Sequence, residues 1–123
     1  MIPFRPVLIV FIALASSLLV SQAHAAEPPK AWSSCASCHS LKAGENKAGP
    51  SLHNLIGRPA GSAEGFSYSP AVKNAKLVWD EENLDKFLKN PRQALPGNRM
   101  FFGGIPNDEQ RHALIEFLKT ASK

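Results

Sequence analysis

The chain has 123 residues, 44% of them hydrophobic and 20% charged, and its 14 basic and 10 acidic side chains give a formal net charge of +4. That length accommodates one ordinary small domain, and that composition excludes a disordered or fibrous chain. The positive excess is too mild for a nucleic-acid-binding face and permits at most a local basic patch.

The first stretch does not belong to the domain. Arg5 supplies a positive start, Val7 to Val20 is an apolar run, and Ala23-His24-Ala25 gives the small-x-small pattern of a signal-peptidase site. Residues 1–25 are therefore expected to be a cleaved signal peptide and residues 26–123 the mature domain. An uncleaved anchor is the weaker alternative: the strongly apolar part falls short of the ~20 residues that span a bilayer, and Pro3 and Pro6 stand at its start. No stable membrane insertion is expected. Removing Arg5 leaves 13 basic against 10 acidic side chains, a net +3. The 98 residues that remain of the 123 are marginal for a core built from side chains alone.

Glu27-Pro28-Pro29 opens the mature chain in an extended form, since proline fixes φ and restrains its predecessor. A short helix is then expected from about Lys30 to His39. It carries Cys35-Ala36-Ser37-Cys38-His39, a C-x-x-C-H stretch that reads as a covalent c-type haem attachment site. On a helix Cys38 and His39 follow Cys35 by three and four positions, so both thiols and the imidazole share one face. Each sulfur can bond a side chain of the macrocycle while the imidazole reaches the iron. Three other readings compete. A redox dithiol wants a βαβ context, and the flanks show no strand alternation. Half of a zinc site wants a second cysteine pair, which is missing, and His53 and His112 offer no regular finger spacing. A structural disulfide fits an exported chain. A buried haem has the further merit of supplying apolar volume to a small core.

Ser40 to Gly49 is a polar loop broken by Gly44 and Gly49. Gly49-Pro50-Ser51-Leu52-His53-Asn54-Leu55-Ile56-Gly57-Arg58 follows, and it resembles the G-P-x-L-x-x-L-x-G-R segment of class I cytochromes c, of the mitochondrial and bacterial cytochrome c2 type. The resemblance implies that the Pro50 carbonyl accepts the Nδ1–H of His39. A ligating imidazole needs such a partner to fix its tautomer and ring orientation. Gly65-Phe66-Ser67-Tyr68-Ser69-Pro70-Ala71 and the run to Trp79 resemble the same family, in which Tyr68, Trp79 and Arg58 would hold a buried haem propionate. A carboxylate in an apolar interior is costly without such partners. Read without the family, Tyr68 and Trp79 are core aromatics.

Asp80 to Asn90 reads as a helix, with Asp80 as N-cap, Glu81 and Glu82 in the first turn, Leu84, Phe87 and Leu88 as its apolar stripe, and Pro91 as its stop. Pro91 to Pro106 is expected to be a loop. Its Pro96-Gly97-Asn98-Arg99-Met100 resembles the family's P-G-T-x-M, which carries the distal methionine ligand. Met100 is the one methionine left once Met1 is removed with the signal. Asn107 to Ala121 closes the chain as a helix, with Asn107 and Gln110 as a capping-box pair and Leu114, Phe117, Leu118 and Ala121 on one face. His112 lies on the opposite face. In the family this helix crosses the N-terminal one at Phe117.

The resemblance covers residues 31–121 and implies a small all-α class I cytochrome c fold wrapped around one covalently bound haem c. With His39 and Met100 as the two axial ligands no site is left open, which argues for single-electron transfer rather than catalysis and for no catalytic residues. The implied partners are redox protein donors and acceptors, docking through Lys47, Lys89, Arg92 and Arg99 beside the haem edge of a monomer. The implied location is the periplasm. An electron-accepting subunit of a periplasmic dehydrogenase is the second reading, and a haem sensor or peroxidase-like protein the third. Three positions depart from the family. Val72 replaces an asparagine near a propionate, Asn98 a threonine that would bond it, and Phe87 a tyrosine directed at the methionine sulfur.

Overall fold

A computed structural model describes residues 27–123; the expected signal segment and its cleavage boundary lie outside them. Past the two prolines the chain turns helical at once. The Trp32 N–H bonds the Pro29 carbonyl and the His39 N–H bonds the Cys35 carbonyl, both at 2.9 Å, so turns flank α1 (Trp32–Ala36) on either side. The regular helix is shorter than the expected 30–39 because Ala31 offers no side-chain cap and so short a helix closes few internal hydrogen bonds.

Two further short helices follow, the second of them inside the 91–106 stretch expected to be loop. α2 (Pro70–Lys73) starts under the Ser69 hydroxyl, which accepts the Val72 N–H at 3.3 Å. α4 (Pro91–Ala94) starts under Asn90, whose side-chain oxygen accepts the Gln93 N–H at 3.2 Å. Both open on proline at a first-turn position, where the missing N–H is no loss and the fixed φ suits the helix. Between them α3 (Glu81–Lys89) has the expected cap, the Asp80 carboxylate accepting the Asn83 N–H at 2.8 Å, and buries Leu84, Phe87 and Leu88. Pro91 thus ends α3 and begins α4.

α5 (Asp108–Ala121) is the longest helix described. Asn107 accepts the Gln110 N–H at 2.8 Å, which is one half of the expected capping pair. Leu114, Ile115, Phe117 and Leu118 are buried, whereas His112 is exposed. α3 packs on α5 and is clasped there by charge. Lys119 pairs with Glu81 and Glu116, and Arg111, only 4% exposed, reaches Asp85 at 2.6 Å and Asp108 at 2.7 Å. Trp32 and Phe117 bring the N-terminal turn onto α5, with ring centroids 5.4 Å apart. The Asn54 N–H holds the C-terminal end through the Ser122 carbonyl. Among the described residues the sole β-type pairing is an isolated bridge between Pro59 and Val78, and the fold is all-α. No helix among them is long and apolar enough to cross a membrane.

Candidate haem site

Helices and loops leave a cavity of about 550 Å³ between them, and every site residue named from the sequence lines it. Cys35, Cys38 and His39 enter from α1 and the turn that continues it. Pro50 and Arg58 enter from the 49–58 segment, Tyr68 and Trp79 from the next loop, and Met100 from the stretch after α4. The walls are residues that periodicity marked as helix packing: Leu84, Phe87 and Leu88 of α3, and Leu114 and Leu118 of α5. Leu52, Leu55, Phe66, Val72 and Phe102 complete them. A 2.0 or 3.6 period signals burial but does not say against what, so the sequence carried no sign that these walls face a cavity.

Backbone pairing places the proximal side. The Gly49 N–H bonds the Cys38 carbonyl and the Leu52 N–H the Ser40 carbonyl, each at 2.8 Å, which lays 49–52 along 38–40. The Pro50 carbonyl then meets His39 Nδ1 at 2.7 Å. A carbonyl only accepts, so Nδ1 carries the proton and Nε2 keeps its lone pair for a metal. Burial pushes the His39 imidazole below its ordinary value; the bond to Pro50 acts the other way, and the Arg58 and Lys47 charges reinforce the lowering. The ring is therefore neutral at neutral pH, the form that ligates. Burial likewise raises the Cys35 thiol. Both cysteines are free rather than joined, which removes the structural-disulfide reading, and among the described residues no group of three or more His, Cys, Asp or Glu gathers as a metal cluster.

The cavity also has a polar corner. Gly57 N–H to Trp79 carbonyl and Trp79 N–H to Arg58 carbonyl, both 2.9 Å, set Arg58 and Trp79 side by side. One Arg58 Nη donates to the Ser51 and His53 carbonyls at 2.8 and 2.9 Å, while its Nε is buried without a partner. The Tyr68 hydroxyl accepts the Ala63 N–H at 2.9 Å, which leaves its own hydrogen to donate. A guanidinium with an unmet donor inside an apolar pocket calls for an anionic group, and the propionate of a haem is of that kind. Two thiols on one helical turn, an oriented imidazole, a thioether and this corner fit a haem c. Of the expected docking residues, Arg99 lines the cavity and is exposed, whereas Lys47, Lys89 and Arg92 are exposed and do not line it, Lys47 with its Nζ on the Ala36 carbonyl at 2.8 Å.

The sequence model of the Cytochrome c family matches residues 25–122. The chain belongs to the cytochrome c family. It is 48% identical over 90 residues to cytochrome c of Stellaria longipes, covering 72% of this chain and 83% of that one. It is 43% identical over 95 residues to cytochrome c2 iso-2 of Magnetospirillum molischianum, covering 77% and 98%. The structure of cytochrome cH from Methylobacterium extorquens superposes with a TM-score of 0.69 at 36% identity, over 74% of this chain and 92% of that one. As a class I cytochrome c this protein carries one covalently attached haem c, for which its C-x-x-C-H supplies both cysteines, and its general role is electron transfer.

Proposed function

We propose that this cytochrome c is an exported, periplasmic single-electron carrier whose haem is bonded to Cys35 and Cys38 and ligated by His39 and Met100. The observation that carries the reading is that both thiols, the imidazole oriented by Pro50 and the lone thioether of the described chain face one cavity. When bound, the haem supplies reversible one-electron chemistry. The chain supplies the rest. His39, held neutral by burial, and Met100 leave no coordination position for a substrate. Neither brings negative charge, and the Leu52, Leu55, Leu84 and Leu114 walls are apolar, so these residues would offer a ferric haem little compensation and would favour a raised reduction potential. Arg58, Tyr68 and Trp79 would hold a propionate, to which the unpartnered Arg58 Nε could donate. Arg99, Lys47, Lys89 and Arg92 form the basic docking face toward an acidic redox partner. Export is supported by Arg5, the apolar run and Ala23-His24-Ala25.

The test is purification from the periplasmic fraction of cells able to mature such proteins. Mass spectrometry should show a chain starting near residue 26 with one haem added, and the reduced protein should form no carbon monoxide adduct at neutral pH. Apoprotein, or ready carbon monoxide binding that marks an open sensor-type site, would contradict the proposal.

A further inference from the structure

We infer that Asn98 is a positioning residue for Met100: its side-chain amide ties the backbone of the thioether ligand to the buried start of α4. The inference rests on Met100 ligating the haem. Nδ2 donates to the Pro91 and Leu95 carbonyls, both at 2.8 Å, and Oδ1 accepts the Met100 N–H at 3.0 Å. Two partners are carbonyls and the third is an N–H, so the amide fits in one orientation. Both of its hydrogens are spent inside its own loop. Although Asn98 lines the cavity, it offers no donor there, unlike the threonine the family carries at this position.

What Asn98 grips is firm. Pro91 is among the most fully buried side chains, and its carbonyl also accepts the Leu95 N–H at 3.0 Å. The Asn98 N–H bonds the Leu95 carbonyl at 3.1 Å across Pro96-Gly97, and Gly97 has φ +88°, as the third position of a type II turn requires. What Asn98 holds has one other backbone tie, local to its own stretch: the Met100 carbonyl accepts the Phe102 N–H at 3.0 Å. Arg99 is exposed, Phe101 is 98% exposed, and the methionine side chain has three rotatable bonds of its own. The Asn98 amide is thus the bond that joins the Met100 backbone to the start of α4, and with it sets the reach of the sulfur. Only an amide can do this: aspartate has no donor, and threonine has one donor and one hydroxyl oxygen on a shorter stem.

The test uses ferric holoprotein and titrates it with imidazole, which competes with Met100 for its place, in the wild type, Asn98→Asp and Asn98→Thr. The readouts are imidazole affinity, the sulfur-to-iron absorption band, hydrogen exchange at the Met100 amide and the denaturant midpoint. Loss of the two donor bonds should tighten imidazole binding about tenfold or more in Asn98→Asp, where the Pro91 and Leu95 carbonyls also repel the carboxylate away from the Met100 N–H, and by a smaller factor in Asn98→Thr, with faster Met100 exchange in both. If Asn98→Asp fails to assemble, Asn98→Thr alone decides. Imidazole affinity and Met100 exchange within about twofold of wild type would overturn the inference, and a lowered midpoint alone would assign Asn98 a merely structural role. A wild-type protein without the sulfur-to-iron band would overturn the Met100 reading itself, before any variant is compared.

Discussion

Gly49 lies flat against the His39 ring, and that closeness leaves the position closed to any side chain. A Cβ there would stand 2.7 Å from Nδ1 and 2.9 Å from Nε2. Gly49→Ala must therefore turn the imidazole away from the Pro50 carbonyl or push the 49–52 segment off 38–40, at about 1–3 kcal/mol. A lowered denaturant midpoint of the holoprotein is the expected result, together with altered His39 ring resonances; a midpoint equal to wild type would mean that the contact relaxes freely. At this scale the residues named from sequence were those whose chemistry demands a fixed type at a fixed spacing. Cys35, Cys38 and His39 needed only local reading, and Pro50, Arg58, Tyr68, Trp79 and Met100 came through family resemblance. Asn98 was seen as a departure from the family, but its bonds run to carbonyls that only the folded turn brings within reach. Arg111 shows in the sequence only an i,i+3 neighbour, Asp108, because its other partners, Asp85 and the Ile105 carbonyl, lie outside α5.

Between elements, α3 and α5 depend on that arginine. Arg111 Nη1 donates to the Ile105 carbonyl at 2.9 Å, and its other nitrogens hold Asp85 and Asp108. In Arg111→Met the two carboxylates, with 43% and 81% exposed side chains, regain water, so the main cost is the orphaned carbonyl. A loss of about 1–3 kcal/mol at neutral pH follows, measurable by denaturant unfolding. The acid limb gives a second check. The Arg111 guanidinium holds the Asp108 carboxyl below the usual carboxylate range. The unfolded chain therefore takes up the proton first as pH falls, and the stability present above the ordinary carboxylate pKa is lost down through the lowered folded value. Arg111→Met should flatten that loss relative to wild type. The long helices α3 and α5 were legible because their apolar stripes and caps agree. α4 was not, since Pro91 reads as a stop although it also starts a helix under the Asn90 cap, and α2, at four residues, is too short to show a period.

Across the molecule the helices pack on one another and also on the cavity, so Leu84, Phe87, Leu114 and Leu118 serve both. The all-α class and the family could be read from sequence, whereas the division of the apolar surface between protein core and cavity wall could not, because both bury the same side chains. The charge is modest, and its use is local. If the exposed Lys47, Lys89, Arg92 and Arg99 steer an acidic partner, electron transfer should slow as ionic strength rises from about 0.01 M to 0.15 M, over which the Debye length shrinks from about 30 to 8 Å. A rate indifferent to salt would remove the docking face from the account. The most direct measurement of the whole is the absorption spectrum of the ferric holoprotein beside that of Met100→Ala, each with its haem confirmed by mass. A sulfur-to-iron band is expected in the wild type and should vanish in the variant while the haem stays attached; a band missing from the wild type, or surviving the substitution, would contradict ligation by Met100.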